Sequence, residues 1–263
     1  MLLPSKSQPL LPPKATAMKL FIAGSTLGPI VDSLHNQCLL TYDFAPITLD
    51  LPDSISSQHL FASSWAVPPL LGFAYVVLGY VLPRVIELLV GSTDNTATAS
   101  ESTDKLRTRA ILAVSSTAAI IKLSEFLETH SGVLYQINNH HIVLDAKMNF
   151  LIMAMADAIQ WLALDRTLIA LLAAVITGFG GPLSELPFVA HGFWHYNVNA
   201  ADYLPLSGSL FQPDSVVDNI VLHLLGEGYR ELALSGITGP CYFAVTLDAI
   251  ALGRYYYHSR EES

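Results

Sequence analysis

Long apolar stretches alternate with polar connections in this chain, and lysine and arginine gather in every other connection. The connection 41–59 has neither, but holds Asp43, Asp50 and Asp53. By contrast, Lys105, Arg107 and Arg109 cluster before one apolar stretch, and Arg166 sits in a short link. This is the charge asymmetry of a polytopic membrane protein, whose cytosolic loops collect the cations.

Composition agrees. Charged residues make up 13% of the 263 residues and hydrophobic ones 52%, with a mean hydropathy of +0.45. Soluble domains carry about a quarter charged residues, so this chain cannot clothe a water-facing surface of its own. A net charge of −9 excludes a nucleic-acid partner on electrostatic grounds. Cys38 and Cys241 lie inside apolar stretches and read as small buried hydrophobes. The first residues lack acids and carry Lys6, Lys14 and Lys19. That suits a disordered cytosolic tail, or a transit peptide for a plastid.

A membrane-spanning helix needs roughly 20 apolar residues. Six stretches qualify: 20–40, 60–90, 110–127, 148–164, 168–189 and 232–252. Asp32, His35, Asn36 and Gln37 interrupt the first, and Pro68–Pro69 is expected to break the second. Lys6, Lys14, Lys19, Lys105, Arg107, Arg109, Arg166, Arg254 and Arg260 fall on the side of the termini, and Arg84 leans towards it. Only Lys147 and Arg230 fall opposite. The expected fold is therefore all-α: a polytopic membrane bundle of six transmembrane helices with both termini cytosolic. Residues 1–18 form a cytosolic tail, 19–254 the membrane domain and 255–263 a second tail. The connection 91–104 reads as a flexible cytosolic loop. Val216, Val217, Ile220, Val221, Leu224 and Leu225 recur at helical spacing, which predicts an amphipathic helix at the interface.

Ionisable residues within spans are costly and mark function by default. Lys122 with Glu125, and Arg84 with Glu87, are three apart and can pair. Glu87 and Glu185 lie near span ends, within reach of water. Asp157 and Asp248 lie deeper, as interhelical contacts or as ligand or catalytic groups. His191 and His195 are four apart, but Phe193, Trp194 and Tyr196 between and beside them read as an interfacial aromatic belt. His223 and Glu227 are also four apart and could serve acid–base work on a sterol or isoprenoid. No zinc-type cysteine cluster, phosphate loop or serine nucleophile motif is present. Asp165, in the Asp165-Arg166-Thr167 link, is placed to cap the following helix or to meet a partner.

Four blocks resemble the insulin-induced gene (Insig) family of endoplasmic-reticulum membrane proteins. Phe61-Ala62-Ser63-Ser64-Trp65-Ala66-Val67-Pro68-Pro69, with Gly79-Tyr80 downstream, is similar to that family's second-span signature. Trp161-Leu162-Ala163-Leu164-Asp165-Arg166-Thr167 resembles its link between spans four and five. Ala201-Asp202-Tyr203-Leu204 and Gly239-Pro240-Cys241 with Gly253-Arg254 resemble two further blocks.

The resemblance implies a non-enzymatic regulator in the endoplasmic-reticulum membrane. It would bind oxysterol or a sterol-like lipid in its bundle, with no cofactor, and retain sterol-sensing-domain proteins. Those are the SREBP cleavage-activating protein and HMG-CoA reductase. It also implies partner-binding roles for Asp165 and Arg166. The family's sterol-lining Gln and Thr of span four fall on Met148 and Ile152, with Asn149 one residue away. Trp65, Pro68, Met148, Asn149, Ile152 and Asp157 are the expected ligand-binding residues. An enzyme using His223, Glu227 or Asp157, or a transporter using Asp157 and Asp248, would give the same hydropathy.

Overall fold

The computed structural model describes residues 9–50, 59–91, 101–137, 140–203, 215–226, 228 and 232–259. They are mostly helical. The long helical segments are α1 (Lys14–Asp32), α3 (Val67–Val76) continued by a π-turn (Val77–Val81) into α4 (Leu82–Val90), α5 (Thr103–Thr129), α6 (Ala146–Leu164), α7 (Leu168–Ala190) and α9 (Thr238–His258). A short α2 (Asn36–Leu39) and an amphipathic α8 (Val216–Leu225) complete the helices among the described residues. Val67–Val90, Thr103–Thr129 and Leu168–Ala190 are long and apolar enough to cross a membrane. The outward faces are greasy: Leu89, Phe73, Ile159 and Phe179 are all exposed, as a bilayer-facing surface requires.

The helices are not the whole fold. β1 (Leu40–Tyr42), β2 (Pro46–Asp50), β3 (His59–Ser64), β4 (Leu134–Ile137), β5 (His140–Val143) and β6 (Trp194–Tyr196) form three antiparallel ribbons. Side-chain contacts fix the alternation of helix direction. On α1 and α3, Gly28 faces Leu71 and Gly24 faces Tyr75, so these helices are antiparallel. Thr117 on α5 bonds the Ala244 carbonyl on α9, and Gln160 on α6 bonds Ser116 and Thr117. Asn149 on α6 also bonds the Leu127 carbonyl, so α5 and α6 are antiparallel. Beyond α1, His35 bonds Ser124 near the end of α5, Asn36 bonds β3, and β1 pairs with β6 beyond α7. The described ribbons therefore lie at one end of the bundle and the α6–α7 link at the other.

Backbones approach closely where side chains are small. Gly24 and Gly28 form a four-residue glycine repeat on α1, and a Cβ on Gly28 would meet Leu71 at 2.7 Å. At the π-turn Gly79 abuts the backbone of Ala249 and Gly253, leaving no room for a side chain on either glycine. α9 is the central helix. No residue from Thr238 to Gly253 is exposed.

Three expected spans take in non-helical residues, of which 232–252 is helical only from Thr238 and runs on to His258. The stretch 20–40 is helical from Lys14 and ends at Asp32, with Pro29 inside its last turn. The polar run that follows turns back to bond locally: the Asn36 amide donates to the Ala62 carbonyl at 2.6 Å and to Asp32 at 3.1 Å. The stretch 60–90 begins as strand β3, and Pro68 and Pro69 stand in the first turn of α3 rather than inside a helix. There a missing N–H costs nothing, because first-turn amides have no helical partner. The irregularity of this segment is the π-turn instead.

Candidate functional site

A cavity of ≈370 Å³ opens between α6, α7 and α9, within the ~300–1,000 Å³ typical of small-molecule sites. α6 contributes Phe150, Ala154, Asp157, Ala158 and Trp161. Their spacing of three and four residues makes them one helix face. Val175, Gly178 and Phe179 of α7 and Gly239, Pro240 and Phe243 of α9 form the other walls. Small residues create this space. Gly178 and Gly239 let the two backbones touch, a Cβ on Gly239 lying 2.8 Å from the Gly178 carbonyl oxygen.

The wall is mostly apolar; Tyr203 brings a phenol to it, and Asp157 is its one charged side chain among the described residues. Asp157 is 4% exposed, and its Oδ1 has no hydrogen-bond partner among the described residues. Glu185 is met by three donors and Asp248 by one, the Asp248 Oδ1 being left without a partner among the described residues as well. Tyr75 Oη donates to Asp248 at 2.8 Å. Glu185 accepts from Trp194 Nε1 at 3.1 Å, Tyr196 Oη at 2.6 Å and Tyr242 Oη at 2.8 Å. Trp194 and Tyr196 are thus buried structural donors on β6, not an interfacial belt, and Glu185 is enclosed rather than water-facing. Lys122–Glu125 and Arg84–Glu87 pair as their spacing predicts.

The link beyond the cavity is braced from within. Trp161, which lines the cavity, donates its indole N–H to the Thr167 carbonyl at 3.1 Å. Arg166 adopts φ +62°, turning the chain sharply, and stays exposed. Thr167, not Asp165, caps α7, accepting from the Ala170 amide at 3.2 Å. Asp165 accepts from the Thr167 amide at 3.1 Å and forms an ion pair with Arg254 at the end of α9. Its side chain is only 6% exposed, so the carboxylate is engaged inside the protein. Two of the family-like sequence blocks meet in this pair.

The expected ligand residues do not come together. Of that set, Asp157 alone lines this cavity. Asn149 is buried and donates to the Leu127 carbonyl at 3.2 Å. Ile152 packs against the main core, and Met148 sits exposed at the start of α6, its amide capped by Asp145. Trp65 is 70% exposed, and Pro68 lies in the first turn of α3. His191 and His195 share no helix face; His195 lies on β6 and bonds Asp43 at 2.7 Å. His223 is exposed on α8, while Glu227 and most of the 91–104 connection lie outside the described residues. Among the described residues no cluster of histidine, cysteine and carboxylates could hold a metal. Sequence reasoning missed the Phe150–Trp161 face, although its three-and-four spacing from Asp157 was a usable signal.

Two solved structures share this fold. The mycobacterial Insig homologue MvINS from Mycobacterium vanbaalenii superposes with a TM-score of 0.54 at 17% identity, over 92% of this chain and 94% of that one. A cross-linked MvINS trimer gives the same score and identity, over 93% and 95%. No curated protein matches the chain. The profile of the insulin-induced protein (INSIG) family matches residues 15–221, most of the chain, and the chain belongs to that family.

Proposed function

We propose that this chain is a non-enzymatic membrane regulator that holds a sterol-like lipid between α6, α7 and α9 and thereby controls a partner membrane protein. The observation that carries the reading is the apolar cavity whose wall includes Trp161. The same indole braces the α6–α7 link through Thr167. A lipid packed against Trp161 favours one arrangement of the link, and so changes what a partner meets there. Such a ligand acts only by binding the partner-competent arrangement more tightly than its alternative.

In this reading the six long helical segments all span the membrane, both termini are cytosolic, and the link at Arg166 faces the cytosol. The positive-inside distribution supports that orientation. The partner is a membrane protein with a sterol-sensing domain, of the SREBP cleavage-activating or HMG-CoA reductase type, in the endoplasmic reticulum. Exposed Arg166 offers the contact, while Asp165 and Arg254 hold its shape. The acid–base alternative gains no support from His223, which is exposed on α8.

The test is saturable binding of a radiolabelled oxysterol to the purified protein, followed by lipid-dependent co-purification of the partner. Binding without chemical change of the lipid, and capture lost on Arg166→Glu, are expected. Conversion of the lipid to a product, or capture indifferent to lipid, would overturn the reading.

A further inference from the structure

Asp157 is out of keeping with the rest of its cavity. Ala154, Val175, Phe179 and Phe243 line the same space with hydrocarbon. A carboxyl in such surroundings is costly unless something meets it. Glu185 is met by three donors; Asp248 is met at one oxygen by Tyr75 and, though its Oδ1 is also unpaired, it does not line this cavity, whose wall holds no cation among the described residues. The nearest indole donor on α6, Trp161, is committed to the Thr167 carbonyl. A carboxyl that lines a cavity of this size, with an oxygen left unpaired, needs only a small side-chain turn to meet a ligand's polar atom.

We propose that Asp157 receives the hydroxyl of an otherwise apolar lipid, making it the residue that selects the ligand. This rests on the reading of the cavity as a lipid site. A hydroxyl both donates and accepts, so it satisfies a carboxyl whether ionised or protonated. A phosphate would bring like charge to the acid, and any ionic headgroup would carry its own charge into the span. The geometry fits a small polar end and a long apolar body. From Asp157 to Phe150 the α6 wall rises about 10 Å, and hydrocarbon covers that whole length.

The test uses the full chain in nanodiscs and a competition assay. Cholesterol is compared with cholestane, which lacks the hydroxyl, and a diacylglycerol and sphingosine serve as further arms. The wild type should bind cholesterol or the diacylglycerol at least about tenfold more tightly than cholestane, the size of one hydrogen bond to a charged group. Which of the two wins identifies the body that bears the hydroxyl. Asp157→Asn, which keeps an acceptor, should retain most of the preference. Asp157→Leu should still bind cholestane and lose the preference; Asp157→Ala replaces it should the leucine variant not fold. Equal binding by the wild type, or a preference that survives Asp157→Leu, overturns the proposal. Sphingosine outbinding both alcohols, with that advantage lost in Asp157→Asn, also overturns it in favour of a cationic ligand. Failure of every lipid to bind saturably overturns the cavity reading itself.

Discussion

Glu185 and Asp157 are both carboxyl groups buried inside long helices, and their surroundings are opposite. Glu185 on α7 is met by Trp194, Tyr196 and Tyr242, drawn from β6 and α9. Asp157 on α6 has an unpaired Oδ1 and faces a cavity. The first acid ties a ribbon and two helices together, and its donors exist to serve it. Burial alone therefore does not separate the two acids; their donors and the space beside them do.

The largest effect should come from Glu185→Ala. It strands three buried donors, each costing about 1–3 kcal/mol when unsatisfied, so a loss of about 3 kcal/mol or more is expected in denaturant unfolding in detergent. A loss under about 1 kcal/mol, the worth of a single ordinary hydrogen bond, would remove the contrast with Asp157. Next is Arg254→Ala, which leaves Asp165 unpaired at the α6–α7 link. Breaking a buried pair costs about 3–5 kcal/mol, discounted here because Arg254 is partly exposed at the bundle end. We expect about 1–3 kcal/mol, and partner capture reduced together with stability. Asp157→Leu should leave the unfolding midpoint unchanged or raised, while altering lipid preference. A large destabilisation would reveal a structural role and collapse the comparison from the other side. The smallest effect is expected for His223→Ala, on an exposed face of α8, within about 0.5 kcal/mol and without effect on lipid binding.

The sequence conveyed the helices better than their joints. The 148–164 and 168–189 stretches match α6 and α7 almost residue for residue, because long, mostly apolar runs without mid-run turn residues favour helix. The first span was drawn too far, to Leu40, because apolar Cys38-Leu39-Leu40 resumes after the polar residues that do end the helix. In the fold Asn36 and Gln37 bond the backbone of β3 at Ala62 and His59. The π-turn at Val77–Val81 left no trace in composition beyond Gly79. At the site, the depth of Asp157 was legible from its position in the run. The donors of Glu185 were not, since Tyr242 lies on α9 and Trp194 resembles a membrane anchor. Nor was the Asp165–Arg254 pair, whose members are 89 residues apart and were separately explained by capping and by topology.

The most direct test of the account is photolabelling with a diazirine sterol, with the labelled peptides identified by mass spectrometry. We predict labels on the Phe150–Trp161 face of α6 and on α9 around Pro240–Phe243, suppressed by excess unlabelled sterol and by Ala154→Trp, which fills the cavity. Labels confined to other helices, or labelling indifferent to Ala154→Trp, would contradict the assignment of this cavity as the lipid site.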